Sequence, residues 1–234
     1  LTSHWLRSNT YNPYCISIIL HVMRFHKIIS RREFNGSAYI LRFERKDLIF
    51  TPGQHINVGI KDDDDRPYSI YSGINDDYIE ILVKEVKNGN ISNKLKLLKS
   101  GDEVSVGSPH GSFTIDTDAI FSASHWFIAT GTGISPYHSF ILSYPELNYR
   151  IIHGIRYYKE AYDKDHYQDK YSCCTTGDTL GDYNGRVTNY IKEELIDRSA
   201  FYFLCGNYSM IDDVYDILID RGIDETKIKT EGYF

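Results

Sequence analysis

The sequence predicts a two-domain protein in which an N-terminal antiparallel β-barrel is followed by a C-terminal α/β domain with a parallel sheet of the nucleotide-binding type. Two observations support this fold class. Up to about residue 115 the chain consists of short segments in which apolar and polar residues alternate, separated by turn residues. Beyond residue 115, strand-like and helix-like segments alternate along the chain. We place the domains at residues 23–117 and 118–234, and we expect residues 1–22 to be an extension outside the fold because Met23 is a natural start.

Six strand-like segments make up the first domain. Residues 25–33 and 38–44 flank Asn35-Gly36, which is a two-residue hairpin signal. In residues 78–86, apolar and charged side chains alternate as they do in a half-buried strand. The other strand-like segments are residues 55–60, 66–72 and 103–107, and one helix-like segment covers residues 90–99. Many short strands at close spacing are typical of an antiparallel barrel.

Strands and helices alternate in the second domain. The strand-like segments are residues 125–130, 150–155, 171–175, 201–205 and 227–231. A helix with an apolar stripe follows Gly131-Thr132-Gly133, another lies near residues 188–195, and a third ends at Gly222. Such alternation predicts parallel strands that are joined by crossover helices.

Composition excludes several classes of protein. Of the 234 residues, 41% are hydrophobic and 25% are charged, which argues against collagen-like and wholly disordered chains. The formal net charge of −6 argues against a nucleic-acid partner, and no apolar run approaches the roughly 18 residues that a membrane span needs. The four cysteines show neither a C-x-x-C pair nor zinc-site spacing, so we expect no metal and a reducing, cytoplasmic location.

Two motifs in the first domain suit a phosphorylated ligand with a ring system. In Arg66-Pro67-Tyr68-Ser69 the guanidinium can fork onto a pyrophosphate, the tyrosine offers a flat face, and the serine hydroxyl can bond a ring nitrogen. Gly89-Asn90-Ile91-Ser92-Asn93 opens the helix-like segment, where backbone N–H groups and a serine cap would form an anion site. The alternatives are an ordinary barrel strand with a surface arginine and a simple N-capped helix.

Three motifs in the second domain point to a second nucleotide. Thr130-Gly131-Thr132-Gly133-Ile134-Ser135-Pro136 links a strand to a helix, and its glycines let a phosphate approach the backbone while the proline suits the first helical turn. Leu204-Cys205-Gly206-Asn207 ends a buried strand, where ligands collect in open parallel sheets. The chain ends in Thr230-Glu231-Gly232-Tyr233-Phe234, whose two aromatics suggest packing against something flat. A small buried cysteine and a frayed tail are the structural alternatives.

Taken in this order, the motifs resemble the ferredoxin–NADP(+) reductase family, in which a barrel that holds FAD is joined to an α/β domain that holds a nicotinamide nucleotide. The resemblance covers residues 24–234. It implies an oxidoreductase that transfers hydride between NADP(H) and non-covalent FAD, and single electrons between FAD and a separate ferredoxin or flavodoxin. One departure is Tyr208, which stands where the bacterial pattern often has proline.

The resemblance also assigns roles to residues. Ser69, Cys205, Glu231 and Tyr233 would surround the site of hydride transfer, with Tyr233 covering the flavin face that the nicotinamide must reach. The residues implied for FAD are Arg66 on the phosphates, Tyr68 on the isoalloxazine, Ser69, Leu82, Val83, Lys84, Gly89, Asn90, Ile91, Ser92, Tyr233, and Phe234 on the adenine side. The residues implied for the nicotinamide nucleotide are Thr130, Gly131, Thr132, Gly133, Pro136, Arg156, Thr176, Arg186, Cys205 and Gly206.

The choice between NADPH and NADH stays open, with NADPH favoured. Arg156 and Arg186 match phosphate-binding positions of bacterial members, and Thr176 can replace their serine. Gly177, however, stands where an arginine belongs, and Asp178 adds a carboxylate. The alternatives are an NADH-dependent reductase of the same fold that supplies an oxygenase or another redox protein, and a non-enzymatic flavin-containing electron-relay subunit.

Basic side chains suggest where an acidic electron partner would dock on what we expect to be a monomer. The two candidate clusters are Lys84, Lys87, Lys94, Lys96 and Lys99 near the FAD motif, and Arg31, Arg32, Arg42, Arg45 and Lys46 near the first hairpin. A solvated polar face is the alternative interpretation of both clusters.

Overall fold

The computed structural model describes residues 24–34, 38–60, 64–87 and 89–233. The expected extension at residues 1–22, the Asn35-Gly36 turn and the role assigned to Phe234 lie outside the described residues. Among the described residues, no helix combines the length and the apolar character needed to cross a membrane.

The N-terminal half forms one six-stranded antiparallel sheet. Its strands are β1 (Arg24–Glu33), β2 (Ala38–Glu44), β3 (His55–Gly59), β4 (Asp65–Ser69), β5 (Tyr78–Lys84) and β6 (Glu103–Val106), in the order β4-β3-β6-β1-β2-β5. A bridge between Ile70 and Ile81 joins the chain after β4 to β5, so the sheet closes into a barrel. Alternate apolar side chains fill the barrel, and helix α1 (Asn90–Leu97) packs Ile91 and Leu95 against them.

The C-terminal half forms a six-stranded parallel sheet. Its strands are β7 (Ser124–Thr130), β8 (Asn148–Ile155), β9 (Tyr171–Thr175), β10 (Tyr183–Asn184), β11 (Phe201–Asn207) and β12 (Ile228–Tyr233), in the order β10-β9-β8-β7-β11-β12. Its helices are α2 (Thr117–Ser122), α3 (Ser135–Ser143), α4 (Val187–Glu193) and α5 (Tyr208–Asp220). Alternate residues of β7 enter two separate apolar clusters, Phe127 one and Ile128 the other, because both faces of the sheet are covered.

The antiparallel barrel followed by the parallel α/β sheet confirms the predicted fold class. Most predicted segments lie within two residues of an observed strand or helix, and the domain boundary between residues 117 and 118 stays a prediction. The connection from β8 to β9 agrees with the sequence, in which no helix-like segment lies between residues 155 and 171. It contains the short 3₁₀ turns Tyr158–Glu160, Lys164–His166 and Gln168–Lys170 rather than a crossover α-helix. The segment lacks an apolar stripe of helical period, and instead it buries Tyr162 and Tyr167 singly.

Side chains from both halves meet at a largely buried junction. Tyr71, just after β4, stacks on His138 of α3 with ring centroids 3.9 Å apart. The Arg32 guanidinium on β1 donates to both carboxylate oxygens of Asp163, at 2.8 and 2.7 Å. The Tyr71 hydroxyl donates to the same carboxylate at 3.0 Å. The segment between β8 and β9 therefore ties the parallel sheet to the barrel through a bidentate ion pair and a tyrosine hydrogen bond, and α3 adds an aromatic contact.

Candidate functional site

A cavity of about 1000 Å³ opens between the barrel and the parallel sheet. Strand β4, the end of β5, the start of α1 and the end of β12 line it, together with the turn that leads from β7 into α3. Because the strands of the parallel sheet all point the same way, their carboxyl ends meet at the cavity edge. Ligand pockets in proteins have volumes of roughly 300–1,000 Å³, so the cavity can hold a molecule of dinucleotide size.

Strand β4 brings its whole predicted motif to the cavity wall. The wall includes Arg66, Pro67, Tyr68 and Ser69. The Arg66 guanidinium donates to the Asp65 carbonyl oxygen at 2.6 Å and lies 3.8 Å from the Asp64 carboxylate. Its side chain is 55% exposed, so an anion in the cavity can compete with that exposed carboxylate for it. Burial raises the pKa of Tyr68 to about 12, so its ring presents a neutral face at physiological pH.

The first turn of α1 gives the cavity a set of backbone donors. Gly89 is the N-cap residue, and Asn90, Ile91 and Ser92 line the wall at the positive end of the helix, where the backbone N–H groups have no acceptor within the helix itself. The expected serine cap is wrong, because Ser92 is the third helical residue and its Oγ accepts from the Val86 N–H at 3.3 Å. The serine side chain therefore holds the segment that precedes the helix, and it does not cap the first turn.

Strand β5 ends at the same wall. Leu82 and Lys84 line the cavity, and Lys84 is exposed. Val83 lies between them in sequence, and its side chain is buried in the barrel core, as strand alternation requires. Val83 is fully buried and is not among the residues that line the cavity.

A hydrogen-bonded chain connects β4 to the last strand of the protein. The Ser69 hydroxyl donates to Glu231 Oε1 at 3.0 Å, and the Tyr233 hydroxyl donates to Ser69 Oγ. Burial raises the pKa of the Glu231 carboxyl, although the hydrogen bond from Ser69 opposes that rise. The structure thus places three of the four predicted reaction-centre residues in mutual contact at the cavity.

Cys205 lies behind Tyr233. Strand pairing sets Cys205 beside Glu231 and Gly206 beside Gly232. The thiol is fully buried, and burial raises its pKa well above the ordinary value, so it stays protonated. Cys205 is not among the residues that line the cavity, whereas Tyr233 is, so the tyrosine separates the thiol from any ligand there.

The turn from β7 into α3 is held tightly against β11. A Cβ atom on Gly133 would lie 2.3 Å from the Cys205 carbonyl oxygen, so only glycine fits at this approach. The Asn207 N–H donates to Thr130 Oγ1 at 2.9 Å. Gly131 has a φ of 55°, in the left-handed region, which lets the chain turn towards the cavity. From this turn Thr132 lines the wall, and so does Ser135 at the start of α3.

Gly206 and Pro136 shape the backbone next to this turn. Gly206 has a φ of 131°, and a Cβ atom there would lie 2.3 Å from Thr130 Oγ1. Pro136 lies in the first turn of α3, as the sequence predicts, where it leaves no helical hydrogen bond unmade. Both residues shape the backbone around the cavity without lining it.

His153 supports the same turn and was missed by the sequence analysis. Its Nε2 lies 2.7 Å from the Gly131 carbonyl oxygen and its Nδ1 lies 2.8 Å from the Tyr171 hydroxyl. Burial lowers the pKa of His153 to about 4, so the neutral ring donates from Nε2 and accepts at Nδ1. The sequence signal that could have identified His153 is a polar residue inside an otherwise apolar strand, because a buried polar side chain needs a hydrogen-bond partner nearby.

The predicted adenosine-side residues lie along the carboxyl ends of neighbouring strands. Arg156 follows β8, Thr176 follows β9 and Arg186 precedes α4, and all three are exposed. Two carboxylates share this edge. Asp178 accepts from the Tyr158 N–H at 2.9 Å, and Glu160 accepts from the Arg156 N–H at 3.0 Å.

Two further histidines adjoin the reaction centre and were not predicted. His55 lines the cavity, and its Nδ1 lies 3.8 Å from Glu231 Oε2. The ring of His110 packs against that of His55 with centroids 4.1 Å apart. Their proximity depends on tertiary pairing between distant segments, so the sequence carries no local signal for it.

Comparisons with known proteins agree with this geometry. Residues 26–115 match a family model described as an oxidoreductase FAD-binding domain. The flavodoxin/ferredoxin–NADP reductase of Buchnera aphidicola is 28% identical over 195 residues, which are 72% of this chain and 75% of that protein. The toluate 1,2-dioxygenase electron transfer component of Pseudomonas putida is 26% identical over 202 residues, 80% of this chain and 59% of that protein. The chain therefore spans less than two thirds of the second relative.

A solved structure shows the same fold. The ferredoxin NADP+ reductase from Neisseria gonorrhoeae, with bound FAD and NADP, superposes with a TM-score of 0.81 at 19% identity, covering 91% of this chain and 99% of that one. The chain is thus similar to ferredoxin–NADP reductases in sequence and in fold. The recognition made from the motifs is thereby confirmed, and so is FAD as the cofactor of the matched domain.

The cavity fits the cofactor of the family. Its volume suits a dinucleotide, the first turn of α1 supplies N–H groups for a pyrophosphate, and Lys84 and Arg66 add positive charge. Tyr68 and Tyr233 both line the wall, so two aromatic rings are available to a flat ring system. Which of these residues bind FAD stays a prediction.

Proposed function

We propose that the chain is an oxidoreductase that transfers hydride between NADP(H) and FAD, and single electrons between FAD and a ferredoxin or flavodoxin. The observation that carries this proposal is the hydrogen-bonded chain of Tyr233, Ser69 and Glu231 on the wall of the cavity. It joins the barrel to the parallel sheet at the place where a flavin in one half would meet a nicotinamide in the other.

FAD supplies the redox chemistry when bound, since it takes two electrons with a hydride and releases them one at a time. The protein binds and orients it. We assign the phosphates to the first turn of α1 and to Arg66, and the ring system to Tyr68 and Ser69. Helix N-termini favour anions, and a neutral tyrosine ring excludes water from one face of a flat ligand.

The reaction-centre residues have separate tasks in this proposal. The Ser69 hydroxyl donates its hydrogen bond to Glu231, and this bond fixes the orientation of the hydroxyl group at the reaction centre. Tyr233 covers the place that the nicotinamide must enter, and it has to move aside to open that place. Movement of Tyr233 also uncovers Cys205, whose neutral thiol and small volume suit close packing against a ring.

We assign the nicotinamide nucleotide to the turn between β7 and α3 and propose NADPH as the preferred donor. Gly131 and Gly133 let a pyrophosphate approach the backbone, and the start of α3 favours negative charge. The exposed guanidinium groups of Arg156 and Arg186 are available to a 2′-phosphate.

A second candidate is an NADH-dependent reductase that supplies an oxygenase, because specific features of this edge oppose a 2′-phosphate. Gly177 offers no cation, and Glu160 and Asp178 place two carboxylates along the same edge. Similarity to an oxygenase electron transfer component over 80% of the chain also supports it. The third candidate, a flavin-containing relay subunit without enzymatic activity, predicts no reduction by either nucleotide.

The proposed electron partner is acidic and docks near the open side of the cavity. The basic cluster at the first hairpin is largely engaged elsewhere: Arg32 pairs with Asp163, Arg42 with Glu80, and Arg45 bonds the Ile74 and Asp76 carbonyl oxygens. Lys84 and Lys87 instead line the cavity, and both are exposed. We therefore place the partner on that side, and we further propose that the protein works as a monomer in the cytoplasm.

The test is spectroscopic. The chain is purified with added FAD, its visible spectrum is recorded, and NADPH or NADH is added without oxygen. We expect bound flavin to bleach with NADPH at lower concentration than with NADH. Ser69→Ala should keep the flavin but slow its bleaching by about 100-fold, whereas Ser30→Ala, on the exposed face of β1, should behave as the wild type. A colourless protein that takes up no FAD, or a flavin that neither nucleotide reduces, would refute the proposal.

A further inference from the structure

We propose that His55 and His110 form a proton relay that connects Glu231, at the reaction centre, with solvent. This inference rests on the proposed function and adds two residues to it. Each turnover takes a hydride, which is one proton and two electrons, from the reduced nicotinamide nucleotide. Two molecules of a one-electron acceptor protein take the two electrons, so one proton remains at the site. That proton has to leave before the next turnover.

The relay is contiguous. The Ser69 hydroxyl donates to Glu231 Oε1 at 3.0 Å, so a proton that arrives on the Ser69 oxygen displaces the hydroxyl proton onto the carboxylate. The other carboxylate oxygen, Oε2, lies 3.8 Å from Nδ1 of His55. This gap is longer than a hydrogen bond, and a small rotation of either side chain closes it.

Strand pairing builds this arrangement into the fold. In the register of β3 and β4, His55 stands directly opposite Ser69. On its other side His55 bridges to His110, with backbone N–H to carbonyl distances of 2.9 Å in both directions. The next residue, Gly111, has a φ of 112°, and a Cβ atom there would lie 2.9 Å from His55 Nδ1. Only glycine at this position leaves room for the imidazole that faces Glu231.

Exposure increases step by step along the relay. Ser69 is 4% exposed, the Glu231 side chain 17% and the His55 side chain 25%. His110 is half-buried, and its Nδ1 lies 3.0 Å from the carbonyl oxygen of exposed Ser108. A proton on Nδ1 of His110 is therefore directed at a carbonyl oxygen near the protein surface. A proton on this path moves from a buried hydroxyl to the protein surface through groups that titrate.

The charges around His55 favour exchange with Glu231. The titratable groups that face His55 are Glu231 from β12 and His110 from the segment after β6, while β4 contributes the uncharged Ser69. Burial, and then the charge of His110, lower the pKa of His55. Burial raises the pKa of Glu231. The two values move towards each other, so a proton passes between the groups at small cost in free energy.

The first test follows proton release directly. The flavin-loaded protein is reduced with one equivalent of nucleotide, mixed with a one-electron acceptor in weakly buffered solution, and monitored with a pH-indicator dye. We expect His55→Gln and His110→Gln to slow proton release about tenfold or more. His110 is not among the residues that line the cavity, so His110→Gln should leave flavin reduction by the nucleotide unchanged. His166→Gln, an exposed histidine outside the relay, is the matched control and should release protons at the wild-type rate.

Chemical rescue separates proton transfer from structural damage. His110→Ala leaves space at a half-buried position, so free imidazole in the solution should restore proton release, whereas an equal concentration of pyrazole, a much weaker base, should not. Equal rates of proton release in the His110→Gln variant and the wild type would refute the relay. Failure of the wild-type flavin to accept hydride would instead refute the proposed function, so the two failures are distinguishable.

A second readout needs neither FAD nor turnover. Nuclear magnetic resonance titration of the imidazole groups in the full chain reports the pKa of His55. Because the charge of His110 lowers that pKa, His110→Gln should raise it, and His166→Gln should leave it unchanged. An unchanged pKa of His55 in the His110→Gln variant would show that the two rings are not electrostatically coupled, and it would refute the proposed relay.

Discussion

Substitution of one glycine tests how the nucleotide turn works. Gly133→Ala would place a Cβ atom 2.3 Å from the Cys205 carbonyl oxygen and 2.9 Å from the Cα of Gly206. Ordinary contacts begin near 3.4 Å, so the turn and β11 have to separate by about 1 Å, because both contacted atoms belong to the backbone. Overpacking of this kind costs about 1–3 kcal/mol of stability.

The displacement should affect catalysis more than folding. A shift of about 1 Å in a substrate-positioning element lowers the rate by about 100-fold, so we expect stopped-flow reduction of the flavin by NADPH to slow by that factor. The visible spectrum and the FAD content should not change, since Gly133 lies outside the barrel.

Gly101→Ala, in the turn between α1 and β6 and away from the cavity, is the matched control. A Cβ atom there meets nothing within 4 Å, so the substitution adds only the strain of a left-handed alanine, about 1 kcal/mol. Its rate of flavin reduction should stay within a few-fold of the wild type. Wild-type reduction rates in Gly133→Ala, or equal losses in both variants, would refute the reasoning.

Three further substitutions test other parts of the molecule. Tyr233→Ser should reduce discrimination between NADH and NADPH, since the aromatic ring competes with the nicotinamide for the flavin face; unchanged kcat/KM values for both nucleotides would contradict this role. Asp163→Asn should lower the free energy of unfolding in urea by about 1–3 kcal/mol at pH 7. Burial raises the pKa of Asp163, but the interaction with Arg32 lowers it by more, so the net shift is downward from 3.8. The loss of stability in the variant should therefore shrink as the pH falls below 3.8, and a loss that is constant with pH would contradict the ion pair. For His153, the folded pKa of about 4 lies below the unfolded value of 6.5, so protons bind preferentially to the unfolded chain. Acidification from pH 7 to 5 should therefore cost about 2 kcal/mol that His153→Gln does not lose, and equal pH dependence of the two proteins would contradict the buried neutral ring.

Local patterns in the sequence predict most of the fold. Period-2 alternation predicts the strand β5, and the apolar face of α5 predicts that helix, because each pattern matches the period of the structure that it forms. The expected half-burial of β5 is wrong, because Glu80 is also buried, where it pairs with Arg42. The segment between β8 and β9 has no such pattern. Its tyrosines are buried by contacts with other parts of the fold, so its structure depends on tertiary packing rather than on local sequence.

The candidate site is less accessible to local reasoning. Contact between Ser69 and Glu231 joins residues that are 162 positions apart, and only the resemblance to a family suggested it. The pairing of His55 with His110 arises from the register of the closed barrel and could not be read from either segment alone. The prediction that Ser92 caps the helix is wrong for a simpler reason, because the helix begins two residues before the serine.

The junction between the two halves restricts how proteins of this family can be recombined. Arg32 and Tyr71 belong to the barrel, but the carboxylate that they share is on a segment of the parallel sheet. In a chimera that exchanged the nucleotide-binding half for that of a relative, Arg32 and Tyr71 would keep an acceptor only where the new segment supplied a carboxylate at the place of Asp163. Designers who transplant nucleotide preference between such reductases should therefore move the 156–170 segment together with its two barrel contacts, or leave it in place.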